Sequence, residues 1–144
     1  MSKIIAIIPA RRGSKGLPKK NVLMMNGKPL IEWTIECAIN SNCFDEIVVS
    51  TDDPQVVSIV TSYEVVSLHN RPEHLGEDNV PGIEVVIDVL KSYPGFNFGI
   101  LLQPTSPLRL PRDIQRIIDL ASDSRARSVV SVTEVKKPPN WMFY

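Results

Sequence analysis

The chain has 144 residues, 43% of them hydrophobic and 22% charged, a balance that suits one soluble globular domain and excludes a low-complexity or disordered polymer. Sixteen basic and sixteen acidic residues cancel to a formal charge of zero, so no net field draws the chain to nucleic acid or to an anionic membrane. The apolar opening at residues 4–8 is too short for a signal segment, and Cys37 and Cys43 show no CxxC pattern, which sets aside targeting, zinc and redox readings and leaves a reducing, cytoplasmic setting.

The predicted elements alternate along the chain. Residues 3–8 form a short β-branched run bounded by Pro9 and Gly13, which reads as a buried parallel strand. Pro29 then opens a helix whose apolar positions Leu30, Trp33, Thr34, Cys37 and Ala38 recur at helical spacing up to residues 40–42. Residues 46–51 are a second strand, and Asp53-Pro54 supplies an N-cap and a first-turn proline for a helix carrying Val56, Val57 and Val60. A third strand is expected at residues 64–68, followed by a polar, Pro- and Gly-punctuated loop over residues 69–82. The stripe Ile83, Val86, Ile87 and Leu90 predicts a helix over residues 81–93 with that stripe in the core. Residues 98–103 read as a fourth strand. Leu110, Ile114, Ile117, Ile118 and Ala121 mark a helix from about Pro111, and residues 128–132 are expected as a fifth strand. This alternation predicts an α/β fold, a doubly wound, mostly parallel sheet with helices on both faces, in a single domain spanning residues 1–144.

In such sheets ligands bind beyond the carboxyl ends of the strands, where the strand order reverses. Four polar segments leave those ends: the loop after the first strand, residues 50–53, residues 69–71 and residues 103–106. The first of them, residues 9–21, holds five cations, two glycines and Ser14 but no acid, while the first acidic residue of the whole chain is Glu32. Backbone N–H groups and charged side chains in such a loop can surround a polyphosphate. It is neither a Walker A loop nor a GxGxxG fingerprint, which counts against P-loop and dinucleotide readings. It also lacks the interleaved aromatics of a single-strand nucleic-acid binder. Asp53 reads as the helix cap rather than as a catalytic acid, Asp52 is the better cleft candidate, and His69 and His74 read as surface or structural histidines.

The ordered segments IIPARRGSKGLPKKN, STDD, RPEHLGED and LLQPTSPLR resemble the N-acylneuraminate cytidylyltransferase family, over nearly the whole chain. The resemblance implies the nucleotide-diphospho-sugar transferase type of α/β fold, with CTP and a nine-carbon 2-keto sugar acid as partners. It places Arg11, Gly13, Ser14, Lys15, Lys20, Asn21 and Arg71 on the nucleotide, with Arg11 and Lys20 in catalytic roles and Gln103 beside the acceptor sugar; Arg12 and Lys19 are less firmly matched. It implies transfer of CMP from CTP to the anomeric hydroxyl with release of pyrophosphate, assisted by Mg²⁺. The family's metal-binding aspartates have no counterpart before Tyr144, so the metal ligands in this chain are unassigned, and the apolar cluster at residues 140–144 reads as the start of a segment that pairs two subunits in a full-length homodimer. The chain is accordingly expected to be truncated. Two alternatives stay open: a catalytically incomplete nucleotide-binding module, and a ketodeoxyoctonate-type cytidylyltransferase, against which LQPTSP stands where that group carries an acidic LQGDEP-like motif.

Overall fold

The computed structural model describes residues 2–13, 16–77, 79–124 and 126–134. Ser14, Lys15 and the apolar end at residues 140–144 lie outside the described residues. Four strands, β1 (Ile4–Pro9), β4 (Glu46–Thr51), β5 (Ser67–Asn70) and β6 (Phe98–Leu101), form one parallel sheet in the order β5-β4-β1-β6. Between β1 and helix α1 (Leu30–Ser41) lies a two-stranded ribbon, β2 (Met24–Met25) and β3 (Lys28–Pro29). Its turn residues Asn26 and Gly27 both have positive φ, at 48° and 90°, the conformation that an Asn-Gly hairpin favours.

The sheet is buried on both faces, which is why its strands read as continuous β-branched runs. Ala6, Ile8, Ile47 and Val49 meet Ile31, Ile35 and Ala38 of α1, Val56 and Val60 of α2 (Pro54–Val60) and Ile114 of α4 (Pro111–Ser124). On the opposite face Ile5, Ile7 and Val48 meet Val89 of α3 (Gly82–Ser92), with Val86, Tyr93 and Phe96 at the margin. Asp53 caps α2 by accepting the Gln55 N–H at 2.9 Å, with Pro54 at the first helical position. Chain progress from β1 through β4 to β5 moves outward in one direction. The α3 crossover then returns the chain to the other side of β1, so the order reverses between β1 and β6.

Three expectations need correction. The third strand begins at Ser67, because Glu64 and Val65 lie in a turn closed by the Val66 N–H on the Tyr63 carbonyl, and pairing with β4 starts only at Val48–Ser67. Residues 128–132 form no strand; Val130 and Val132 are exposed and make no ladder. The core stripe of α3 is Val85 and Val89, while Ile83, Ile87 and Leu90 are exposed. Apolar residues cover more than half the circumference of α3, so their spacing leaves the buried row undetermined. Docking of the helix over β1 and β4 selects it.

These assignments separate two substitutions by their stability cost. Ile35→Ala should lower the unfolding free energy by about 2–5 kcal/mol through the lost burial and the cavity left behind. Ile83→Ser should stay within about 0.5 kcal/mol, as surface changes do. Urea denaturation followed by circular dichroism distinguishes the two.

Candidate active site

All four strand ends of the parallel sheet point the same way, and the loop following β1 is fastened to its neighbours by backbone-directed bonds. Ala10 N–H donates to the Ser50 carbonyl at 2.9 Å. The buried Thr51 hydroxyl donates to the Ala10 carbonyl at 2.6 Å and accepts the Asp53 N–H at 3.0 Å. Asp52 accepts the Arg12 N–H at 2.7 Å, a charge-assisted bond that ties the basic loop to the end of β4. Asn21, held in a single 3-10 turn (Lys20–Val22), donates its side-chain amide to the Arg11 carbonyl at 3.1 Å. Arg11 in turn donates from Nη1 to the Gly76 carbonyl at 3.3 Å, joining this loop to the loop after β5. A Cβ at Gly76 would sit 2.9 Å from Asp52 Oδ2, so a larger residue there would have to displace the Asp52 carboxylate.

These fastenings enclose a cleft of about 280 Å³ at the point where the strand order reverses. Its lining includes the cationic and polar side chains Arg11, Lys20, Asn21, Arg71 and Gln103, the acidic Glu77 and the apolar Leu75, Val80 and Val85. Arg71 is buried, donating from Nη2 to the Ser50 carbonyl at 2.9 Å and from Nε to the Ser50 hydroxyl at 3.3 Å. Burial pushes its guanidinium below its ordinary value, Asp52 opposes that shift, and the like charge of Arg11 reinforces it. The lining therefore gathers two guanidinium groups and an ammonium group, the donor types that recognise an anion.

The structure therefore brings Arg11, Gly13, Lys20, Asn21, Arg71 and Gln103 to one cleft. Asp52 stands beside the cleft, fixing the loop, and Asp53 is the α2 cap. His69 is buried, whereas His74 is exposed. Leu75, Glu77, Val80 and Val85 also line the cleft and are not singled out by the sequence. Their only advance signal is membership of the long loop after β5 and the helix it feeds. Among the described residues no three His, Cys, Asp or Glu side chains converge as a metal site.

Comparison with known proteins identifies the family. A family profile described as cytidylyltransferase matches residues 5–140. The chain belongs to the cytidylyltransferase family. Within it, the chain is 41% identical over 143 residues to the CMP-N,N'-diacetyllegionaminic acid synthase of Legionella pneumophila, covering 96% of this chain and 61% of that protein. It is 44% identical over 138 residues to the N-acylneuraminate cytidylyltransferase of Escherichia coli, covering 95% of this chain and 33% of that protein. The chain thus spans between one third and three fifths of the length of these two relatives. A solved CMP:2-keto-3-deoxy-manno-octonic acid synthetase complexed with CTP superimposes with a TM-score of 0.74 at 31% identity, over 87% of this chain and 49% of that one. The fold is the nucleotide-diphospho-sugar transferase type of parallel α/β sheet.

The fastening of the cytidylyltransferase loop is open to a direct test. Thr51→Val keeps the shape of the side chain but leaves the Ala10 carbonyl and the Asp53 N–H without their partner. The expected cost is about 1–3 kcal/mol of stability, read as a lower urea midpoint at unchanged slope.

Proposed function

We propose that the cleft binds CTP and that the protein transfers CMP to the anomeric hydroxyl of an N-acylneuraminate-type nonulosonic acid, releasing pyrophosphate. The observation that carries this reading is the meeting of Arg11, Lys20 and Arg71 in one cleft at the switch point of the sheet, in a chain of the cytidylyltransferase family. The names of the relatives, which refer to legionaminic and N-acylneuraminic acids, support the substrate class.

In the proposed reaction the anomeric oxygen attacks the α-phosphorus of CTP in line. A new O–P bond forms, the bond from the α-phosphorus to the bridging oxygen breaks, and pyrophosphate leaves with the electron pair; the hydroxyl proton is given up to solvent. Such a transfer asks the protein for position and charge neutralisation rather than for a covalent intermediate. Arg11 and Lys20 would meet the charge that develops on the leaving pyrophosphate, and the sequence of the same loop adds Ser14 and Lys15 as further nucleotide contacts. Arg71 and Asn21 would hold the nucleotide, the apolar Leu75, Val80 and Val85 would take the flat base, and Gln103 would face the acceptor sugar. Among the described residues no three His, Cys, Asp or Glu side chains gather as a metal site, and Glu77 is the one carboxylate in the cleft lining. Mg²⁺ on the triphosphate, a homodimeric full-length protein and a cytoplasmic setting complete the reading. The last is supported by the free thiols of Cys37 and Cys43.

Calorimetric titration with CTP tests the assignment. Each charge-assisted contact is worth about 1.5–3 kcal/mol, so Arg11→Ala and Lys20→Ala should each weaken CTP by about 10- to 100-fold while leaving the thermal midpoint nearly unchanged. Equal CTP affinity in both variants would remove the phosphates from this loop.

A further inference from the structure

The buried polar groups behind Arg71 form a chain that runs through three elements of the fold. His69 on β5 places Nε2 at 3.2 Å from Asp88 Oδ2 on α3 and Nδ1 at 3.1 Å from Ser50 Oγ on β4. Ser50 is fully buried, and its Oγ also accepts from Arg71 Nε. The geometry points to His69 and Asp88 as positioning residues that set the direction of the Arg71 guanidinium through the Ser50 hydroxyl. This inference rests on the reading of Arg71 as a nucleotide contact.

Hydrogen-bond chemistry gives the chain a polarity. Asp88 as a carboxylate can only accept, so the proton of the neutral imidazole belongs on Nε2. Nδ1 is then an acceptor, and the Ser50 O–H turns toward it. With its own proton directed away, Ser50 Oγ offers lone pairs to Arg71 Nε–H, while the adjacent carbonyl takes Nη2. The guanidinium edge made by Nε and Nη2 is thereby fixed against β4, on a side chain that also lines the cleft. Without His69 the Ser50 proton has no acceptor to set its direction, and the bond that Ser50 Oγ accepts from Arg71 Nε is held less firmly. The same three residue types make up hydrolytic triads, but Ser50 has no accessible surface and its lone pairs face Arg71, so no substrate could reach it. The chain therefore acts on orientation, not on bond breaking.

The experiment uses the whole chain, with CTP as the probe and two readouts: the calorimetric Kd and the side-chain Nε–H cross-peak of Arg71 in a ¹H–¹⁵N spectrum. His69→Leu should weaken CTP by about three- to tenfold, the effect of one lost neutral hydrogen bond, and should shift or broaden the Arg71 cross-peak. His69→Gln, whose amide can accept from Ser50 and donate to Asp88, should restore both. Asp88→Ala, at a partly exposed helix position, reads the same cross-peak without opening the core and decides the matter where His69→Leu fails to fold. A folded His69→Leu or Asp88→Ala protein with wild-type CTP affinity and an unmoved Arg71 cross-peak overturns the positioning role. Arg71→Ala serves as the reference: unchanged CTP affinity in that variant overturns the nucleotide role of Arg71 itself, whereas weaker CTP there beside unaffected His69 and Asp88 variants overturns only the chain behind it.

Discussion

Everything that meets in the cleft meets there because β1 is hydrogen-bonded on both sides, to β4 in one direction and to β6 in the other. A strand so placed needs no edge protection and can be apolar on both faces, as the fully buried Ile5, Ala6, Ile7 and Ile8 are. Its C-terminal end is also the one place where the loops of the first and last crossovers part, since α1 and α2 lie on one face and α3 on the other. The crevice is a by-product of topology. Its chemistry comes from what the adjoining loops carry.

Those loops are stiffened before any ligand arrives. Thr51, Asp52 and Asn21 each direct a side chain at the backbone of residues 10–12, and Asp52 and Arg11 both reach toward Gly76 in the loop after β5. Holding the backbone of a cationic loop lowers the ordering entropy lost when an anion binds. It also keeps Arg11 in the same cleft as the buried Arg71.

How far the sequence can be read depends on how local the deciding force is. The bounds of β4 and the position of β1 are legible to within a residue because burial on both faces demands an uninterrupted β-branched run. The α2 cap is legible because Asp53-Pro54 acts on its own helix start. Residues 64–65 have the composition of a strand, but register with β4 excludes them, and residues 128–132 have it too without finding a partner among the described residues. The Asn26-Gly27 hairpin carries a local signal that the charge of the neighbouring basic loop overshadows. In the site, Arg11, Lys20 and Asn21 announce themselves by clustering after one strand. Leu75, Val80 and Val85 cannot, since an apolar residue lining a cleft looks like one lining a core. The Ser50, His69 and Asp88 contacts join three elements with no fixed spacing, and only the folded chain displays them.

The outer side of β6 has a consequence for handling the molecule. Among the described residues this strand pairs only with β1, and Phe98 and Leu101 are exposed on it, while Ile83, Ile87 and Leu90 of α3 add more uncovered apolar surface. An unpaired parallel edge is a template on which other chains stack, and a formal charge of zero provides no long-range repulsion to keep copies apart. Among the described residues this edge is therefore a place where copies of the chain can associate. Arginine-containing buffers, low protein concentration or a charged fusion partner would be the physical remedies, whereas changes at the cleft would leave solubility where it is.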